Sequence, residues 1–111
     1  MAEHAWVEEF PGTIEVCDAD GILLEMNDWA RKQEGGRDLV GTNILDCHPE
    51  PARSKLKQML ESGQRNVYTI EKKGKRKLIY QAPWYVDGRY AGFVELALEI
   101  PETMPHFVRQ G

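Results

Sequence analysis

The order of the alternating segments constrains the fold of this chain more than any other feature. Residues 13–17 alternate between apolar and polar side chains, residues 22–26 form a second strand-like segment, and the turn sequence between them ends in Gly21, which can adopt the positive φ of a hairpin turn. Three further strand-like segments follow at residues 66–71, 78–86 and 90–100, with Asp87-Gly88 as the turn between the last two. Strands at both ends with helices between them predict an α+β fold with an antiparallel sheet.

The helical signals lie mostly between the two groups of strands. Asn27 or Asp28 can cap a short helix over residues 29–33, and one or two helical turns are predicted around residues 38–45. A longer helix is predicted over residues 52–62, where the apolar residues recur at helical spacing. A short amphipathic helix is also expected before the first strand, over residues 3–10.

Size and charge limit the function classes. The 111 residues predict one domain, 1–111, with a core over residues 11–100 and a tail over residues 101–111. The net charge of −4 argues against nucleic-acid binding, and the basic run over residues 72–77 is interpreted as a solvated hairpin tip. No apolar run is long enough to cross a bilayer and no signal peptide is evident, so we expect a cytoplasmic protein without a membrane partner.

Four stretches together resemble a PAS domain over about residues 11–100. They are the turn at residues 18–22, Asn27 at the start of the first central helix, residues 39–45, and residues 86–93 around the last hairpin turn. The resemblance implies a five-stranded antiparallel sheet of order 2-1-5-4-3 with short helices on one face. It also implies a role in sensing small molecules, redox state or light, or in dimerisation and partner docking. Domains of this family are rarely catalytic, and we predict that this chain is not an enzyme.

In such a fold a ligand would lie between the inner face of the sheet and the helices. The residues predicted to line this space are apolar or aromatic and come from two strands, the central turn and the longer helix: Tyr68, Ile70, Val94, Leu96, Ile44, Leu45, Leu56, Met59 and Leu60. The first hypothesis is therefore a sensor domain that binds a small molecule there. The alternative is that these side chains fill the core themselves and that the domain is a ligand-free interaction or dimerisation module.

A cofactor is not required by the sequence, and none is the preferred expectation. Flavin is unlikely, since Ile44 follows Asn43 where flavin-binding photosensory PAS domains carry a reactive cysteine. A covalent chromophore on Cys47 would need a Tyr and a Glu where Met26 and Ala30 align. Haem is the second alternative, with His48 as the candidate ligand immediately before the longer helix and with Met59 and Met26 as thioethers that could supply a further ligand. Apart from haem, no metal site is expected.

Apolar residues on the predicted outer surface indicate a homodimer. One group comes from the amino-terminal helix and the other from the predicted outer face of the last strand: Trp6, Val7, Phe10, Ala91, Phe93 and Ala97. We expect no kinase, cyclase or DNA-binding domain within these 111 residues. We therefore expect the signal to pass to a separate signalling protein or to a missing output domain.

Overall fold

The computed structural model describes residues 4–111 and consists of one five-stranded sheet with short helices. The elements in chain order are α1 (Ala5–Glu8), β1 (Thr13–Asp18), β2 (Leu23–Met26), α2 (Asp28–Gln33), a 3₁₀ helix (Ile44–Cys47), α3 (Ala52–Ser62), β3 (Asn66–Lys72), β4 (Lys75–Val86) and β5 (Arg89–Ile100). The strand order is β2-β1-β5-β4-β3 and every neighbouring pair is antiparallel, which confirms the predicted fold class. The amino-terminal helix predicted over residues 3–10 is shorter than expected, and Glu3 lies outside the described residues.

The sheet's covered face is identified by the side chains that pack against α3. Cys17 and Phe93 are directly opposite each other on β1 and β5, and both belong to one buried cluster with Met59 and Leu60 of α3. Directly opposed residues of neighbouring strands lie on the same face, and residues two apart along a strand share it. The covered face of β5 therefore carries Phe93, Glu95 and Ala97.

This register corrects the predicted faces of β5. Val94 and Leu96, predicted to face the helices, lie on the opposite face of the sheet, and Phe93 and Ala97, predicted to lie outside, lie on the covered face. Phe93 is only 7% exposed, so it cannot form a dimer surface. The prediction was wrong by one residue in phase because it assumed that the more apolar side of β5 is the covered one.

A β-bulge shapes the hairpin between β4 and β5. Tyr85 is opposite Tyr90 and Trp84 is opposite Gly92, so Ala91 is the extra residue without a partner on β4. The indole nitrogen of Trp84 donates a hydrogen bond to the carbonyl oxygen of Cys17, 3.0 Å away on β1. The Trp84 side chain therefore reaches from β4 to β1 at the level of Gly92.

Asn27 joins the start of β1 to the first central helix. Its side-chain oxygen accepts hydrogen bonds from the amides of Ile14 (3.1 Å) and Ala30 (3.0 Å), and the second of these caps α2 as predicted. Its side-chain nitrogen donates to the carbonyl oxygens of Val7 (3.0 Å) and Gly12 (2.9 Å). This one buried amide holds α1, β1 and α2 together.

The chain leaves the sheet after β5 as an exposed segment. Residues 101–111 contain neither helix nor strand. Met104, Phe107 and Val108 in this segment are all exposed. Within residues 4–111, no helix has the length and apolar character needed to cross a membrane, and the cytoplasmic location stays a prediction.

Candidate functional site

A cavity of about 200 Å³ lies between the covered face of the sheet and the helices. The sheet supplies most of the polar residues of the lining, and the 3₁₀ helix and α3 supply only apolar residues. The residues that line the cavity are Glu15, Cys17, Leu23, Glu34, Ile44, His48, Leu56, Met59, Gln81, Phe93 and Glu95. The volume is below the roughly 300–1,000 Å³ typical of drug-sized sites. The cavity therefore has space for a small molecule, with apolar contacts on one side and hydrogen-bonding groups on the other.

A row of polar side chains crosses the floor of the cavity. Glu15, Glu95, Gln81 and Asn66 are directly opposite one another on β1, β5, β4 and β3. The amide of Asn66 donates to Gln81 Oε1 (3.0 Å), and Gln81 Nε2 donates to Glu95 Oε1 (2.6 Å). The hydrogen bonds thus run in one direction along the row and end on the Glu95 carboxylate.

Glu15 lies at the β1 end of this row, and its carboxyl group has different surroundings from that of Glu95. In the described part of the chain, its carboxyl group takes part in neither a side-chain hydrogen bond nor an ion pair. Burial, together with the nearby carboxylates of Glu95 and Glu34, raises the pKa of Glu15 to about 7. A carboxyl group of this kind can carry a proton at neutral pH and can donate a hydrogen bond.

Glu34 and His48 lie at the mouth of the cavity, where it opens to solvent. Glu34 follows the end of α2 and is half-buried, and His48 follows the 3₁₀ helix and is exposed. The His48 Nδ1 atom is 2.6 Å from the carbonyl oxygen of Ile44, so this ring nitrogen is the donor of that hydrogen bond. This contact leaves Nε2 as the ring nitrogen available to a ligand.

The cavity does not fit a haem group. A haem macrocycle is larger than a space of about 200 Å³, and Glu15 and Glu95 would be placed beneath it without a compensating cation. Met59 lines the cavity, but Met26 does not. Within residues 4–111, no cluster of three or more His, Cys, Asp or Glu side chains has a geometry that could hold a metal ion.

The two cysteines differ in their surroundings. Cys17 lines the cavity and is buried, and this burial raises the pKa of its thiol, which keeps it protonated and poorly nucleophilic. Cys47, the candidate for a covalent chromophore, is exposed and does not line the cavity.

The structure brings together only part of the predicted site. Ile44, Leu56 and Met59 line the cavity. Leu45 and Leu60 belong to the adjoining core cluster and do not line it.

The strand residues predicted for the site lie elsewhere. Tyr68 and Ile70 share the covered face with Asn66, as predicted, but they lie exposed on the edge strand β3 and do not line the cavity. Val94 and Leu96 lie on the other face of the sheet. Sequence reasoning missed Glu15, Gln81 and Glu95, whose common feature is a polar side chain within an otherwise apolar strand.

Comparison with known proteins agrees with this architecture. No protein-family model and no curated protein matches the sequence. Among solved structures, the chain is similar to the PAS domain of an HTR-like protein from Haloarcula marismortui, with a TM-score of 0.62, 18% identity, and coverage of 86% of this chain and 92% of that one. It is also similar to the PAS domain of BvgS from Bordetella pertussis, with a TM-score of 0.63, 18% identity, and coverage of 88% and 83%.

A third similar structure binds a cofactor. It is the Aer2 receptor from Vibrio cholerae, described as a dual PAS-heme oxygen sensor, with a TM-score of 0.56, 20% identity, and coverage of 81% of this chain and 95% of that one. At these identities the comparisons establish the fold and not the ligand. The chain has the PAS fold, as the sequence resemblance implied.

Proposed function

We propose that this PAS-fold chain is a non-catalytic sensor domain that binds a small amphipathic molecule in the cavity beneath α3. The observation that supports this proposal is the two-sided lining of the cavity. Ile44, Leu56 and Met59 offer apolar contacts, and Glu15 and Glu95 offer carboxyl groups on the opposite wall. A ligand with an apolar body and a hydrogen-bond donor or a positive charge at one end would satisfy both sides.

The first test is binding of two probes with the same shape and different charge. We expect benzylamine to shift the amide NMR signals of Ile44 and Met59, and benzyl alcohol to bind at least several-fold more weakly because it cannot neutralise a carboxylate. Native mass spectrometry of the freshly purified chain would then identify any retained small molecule. Its absorbance spectrum should lack a Soret band.

A variant that fills the cavity provides the matched control. Leu56 lines the cavity from α3, whereas Leu24 is exposed on β2 outside it. Leu56→Trp should weaken benzylamine binding about tenfold or more, and Leu24→Trp should leave it unchanged. If neither probe nor retained molecule is detected in the wild-type cavity, the ligand-free interaction module is the better description.

We also propose a homodimer that forms through the uncovered face of the sheet. Trp6 is 72% exposed, and Val7 is half-buried beside it. Phe10 lies beside β5, since a Cβ atom placed on Gly12 would lie 2.8 Å from its ring and 2.9 Å from the Leu98 side chain. Half-buried apolar side chains continue this surface across β1, β4 and β5, namely Ile14, Val16, Leu78, Val94, Leu96 and Leu98.

This revised surface keeps the amino-terminal residues of the predicted dimer and replaces those of β5. Phe93 and Ala97 are excluded because they lie on the covered face, and Ala91 lies in the bulge. A contiguous apolar surface of this kind is typical of protein–protein contacts. The same surface could instead receive a separate signalling protein or an output domain, as in the architecture that the sequence predicts.

The homodimer can be tested by a substitution on the uncovered face of the sheet. Leu96→Glu should convert the dimer to a monomer in size-exclusion chromatography with light scattering, because it places a charge in the centre of the apolar surface. Val40→Glu, at an exposed loop position away from the sheet, is the control and should not change the mass. A wild-type protein that is monomeric at micromolar concentration would contradict the homodimer. The remaining interpretation would then be that this surface binds a separate signalling protein or an output domain.

A further inference from the structure

The carboxyl groups of Glu15 and Glu95 on the cavity floor lie so close together that ionising both of them costs free energy. Glu15 and Glu95 are directly opposite on β1 and β5, the two adjacent strands nearest the centre of this face. Side chains in this relation have Cβ atoms roughly 4.5–5.5 Å apart. Two carboxylates at such a distance in a partly desolvated site favour a state in which one of them is protonated.

Among the described residues that line the cavity, no Lys or Arg is present to offset this repulsion. Arg31, the arginine of α2, is engaged by Glu8 at 2.5 Å and by Asp28 at 2.6 Å. A third carboxylate, that of Glu34, adds to the negative charge instead.

The other elements around Glu15 contribute few groups that titrate. Cys17 lies on the same strand, and burial keeps its thiol protonated. His48 after the 3₁₀ helix is the one cavity residue in the described chain that can become positive, and it stands at the solvent-exposed mouth. β2 contributes Leu23, α3 contributes Leu56 and Met59, and β4 contributes the neutral Gln81. Tyr68 of β3 lies on the same face, and burial together with the Glu95 carboxylate raises the pKa of its hydroxyl group, so it stays neutral near pH 7.

The orientation of Gln81 determines which carboxyl group holds the proton. Asn66 donates to Gln81 Oε1, so the Gln81 NH₂ group must face Glu95, to which it donates at 2.6 Å. A donor directed at Glu95 stabilises its ionised form. Glu15 has no such donor, so it is the member of the pair that takes the proton.

We infer that Glu15 and Glu95 hold one proton between them inside the cavity, and that release of this proton makes the domain responsive to pH near neutrality. In the protonated state Glu15 can donate toward Glu95 and the floor carries one negative charge. In the deprotonated state two adjacent carboxylates repel each other beneath the helices. Proton release needs no other ligand, so it can be tested separately from the binding of a small molecule.

The direction of the pH effect follows from the proton count. The pKa of Glu15 is about 7 in the folded protein against an ordinary value of 4.5, so the folded state binds more protons than the unfolded state between these two pH values. The stabilisation is therefore complete below pH 4.5, decreases as the pH rises toward 7, and is absent above it. Carboxylates elsewhere with lowered pKa values, such as that of Asp28, act in the opposite direction at lower pH.

The decisive experiment combines carboxyl NMR with thermal unfolding of the full chain. We expect the ¹³C signal of the Glu15 carboxyl group to titrate near pH 7, and the melting temperature of Glu15→Gln to exceed that of the wild type by about 5 °C at pH 8 but not at pH 5. Glu95→Gln should move the Glu15 midpoint toward its ordinary value because the repulsion is removed.

Two controls exclude other sources of the pH effect. Glu25→Gln alters an exposed glutamate of β2 and should follow the wild-type curve. His48→Gln removes the cavity histidine and should retain the difference between pH 5 and pH 8. A Glu15 signal that titrates near 4.5 would overturn the proposal, and this measurement on the wild-type chain decides even if Glu15→Gln fails to fold.

Discussion

Replacing Gly92 with alanine is expected to abolish the native fold. The residue has φ of +147°, and a Cβ atom there would overlap the carbonyl oxygen of Cys17 and lie 2.7 Å from the Asp18 Cα atom. These are backbone atoms of β1, which is hydrogen-bonded to β5 at this point, so neither strand can move away without breaking the centre of the sheet. The destabilisation should exceed about 4 kcal/mol, the upper end of single-substitution effects. Circular dichroism and one-dimensional NMR should show an unfolded or aggregated chain.

Gly88→Ala is the matched control for backbone conformation. Gly88 lies in the turn of the same hairpin with φ of +77°, and no atom would lie within 4 Å of an added Cβ. Its substitution should cost only the left-handed strain, about 1–2 kcal/mol. A folded Gly92→Ala protein with a melting temperature close to that of Gly88→Ala would contradict the steric explanation.

Local signals were sufficient to predict most of the elements and their order. Gly63 ends α3 at the predicted residue with φ of +66°, and the predicted range of residues 52–62 is the observed one. The turn at Lys73 and Gly74 also forms at the tip of the β3–β4 hairpin, where the basic run was interpreted as solvated. Such signals act within a few residues of the chain, so they do not depend on the tertiary structure.

The faces of β5 could not be predicted in this way. Alternation along a strand shows which residues share a face, but not which face is covered. Val94 and Leu96 are more apolar than Glu95 and Ala97, so the usual rule selects the wrong side. The rule fails because the covered face of this sheet contains a cavity with carboxyl groups, and the uncovered face is apolar.

The polar row of the cavity depends on contacts between distant parts of the chain. Glu15 and Glu95 are 80 positions apart, and each appears in the sequence as one charged residue in a strand. They become neighbours only because β5 pairs with β1 in a register that places Glu15 opposite Glu95. The sequence alone does not give the register in which β1 and β5 pair, so it cannot identify these two residues as neighbours. Once the strand order is known, charged residues at covered-face positions of two adjacent central strands are the signal to look for.

Replacing Asn27 is expected to have the second largest effect on stability. The side chain is 1% exposed, accepts two backbone hydrogen bonds, and donates to the carbonyl oxygens of Val7 and Gly12 and, at 3.5 Å, to that of Phe10. Asn27→Ala leaves the carbonyl oxygens of Val7 and Gly12 and two amides without these partners in a buried site. Each unsatisfied buried group costs about 1–3 kcal/mol, so the loss should exceed about 3 kcal/mol by chemical denaturation, with α1 detached from the sheet.

Aspartate at the same position separates the two roles of this amide. Asn27→Asp keeps the oxygen that caps α2, and Asp is as good an N-cap as Asn, but it removes both donors and directs a negative charge at two carbonyl oxygens. We therefore expect Asn27→Asp to be at least as unstable as Asn27→Ala. At Asn43, a half-buried cap of the 3₁₀ helix that accepts from the Leu45 amide and donates to the Asp20 carbonyl oxygen at 3.3 Å, the same change removes one long hydrogen bond and should cost about 1 kcal/mol. Equal and small losses at the two positions would mean that Asn27 acts only as a helix cap, and that α1 is held to the sheet by its other contacts.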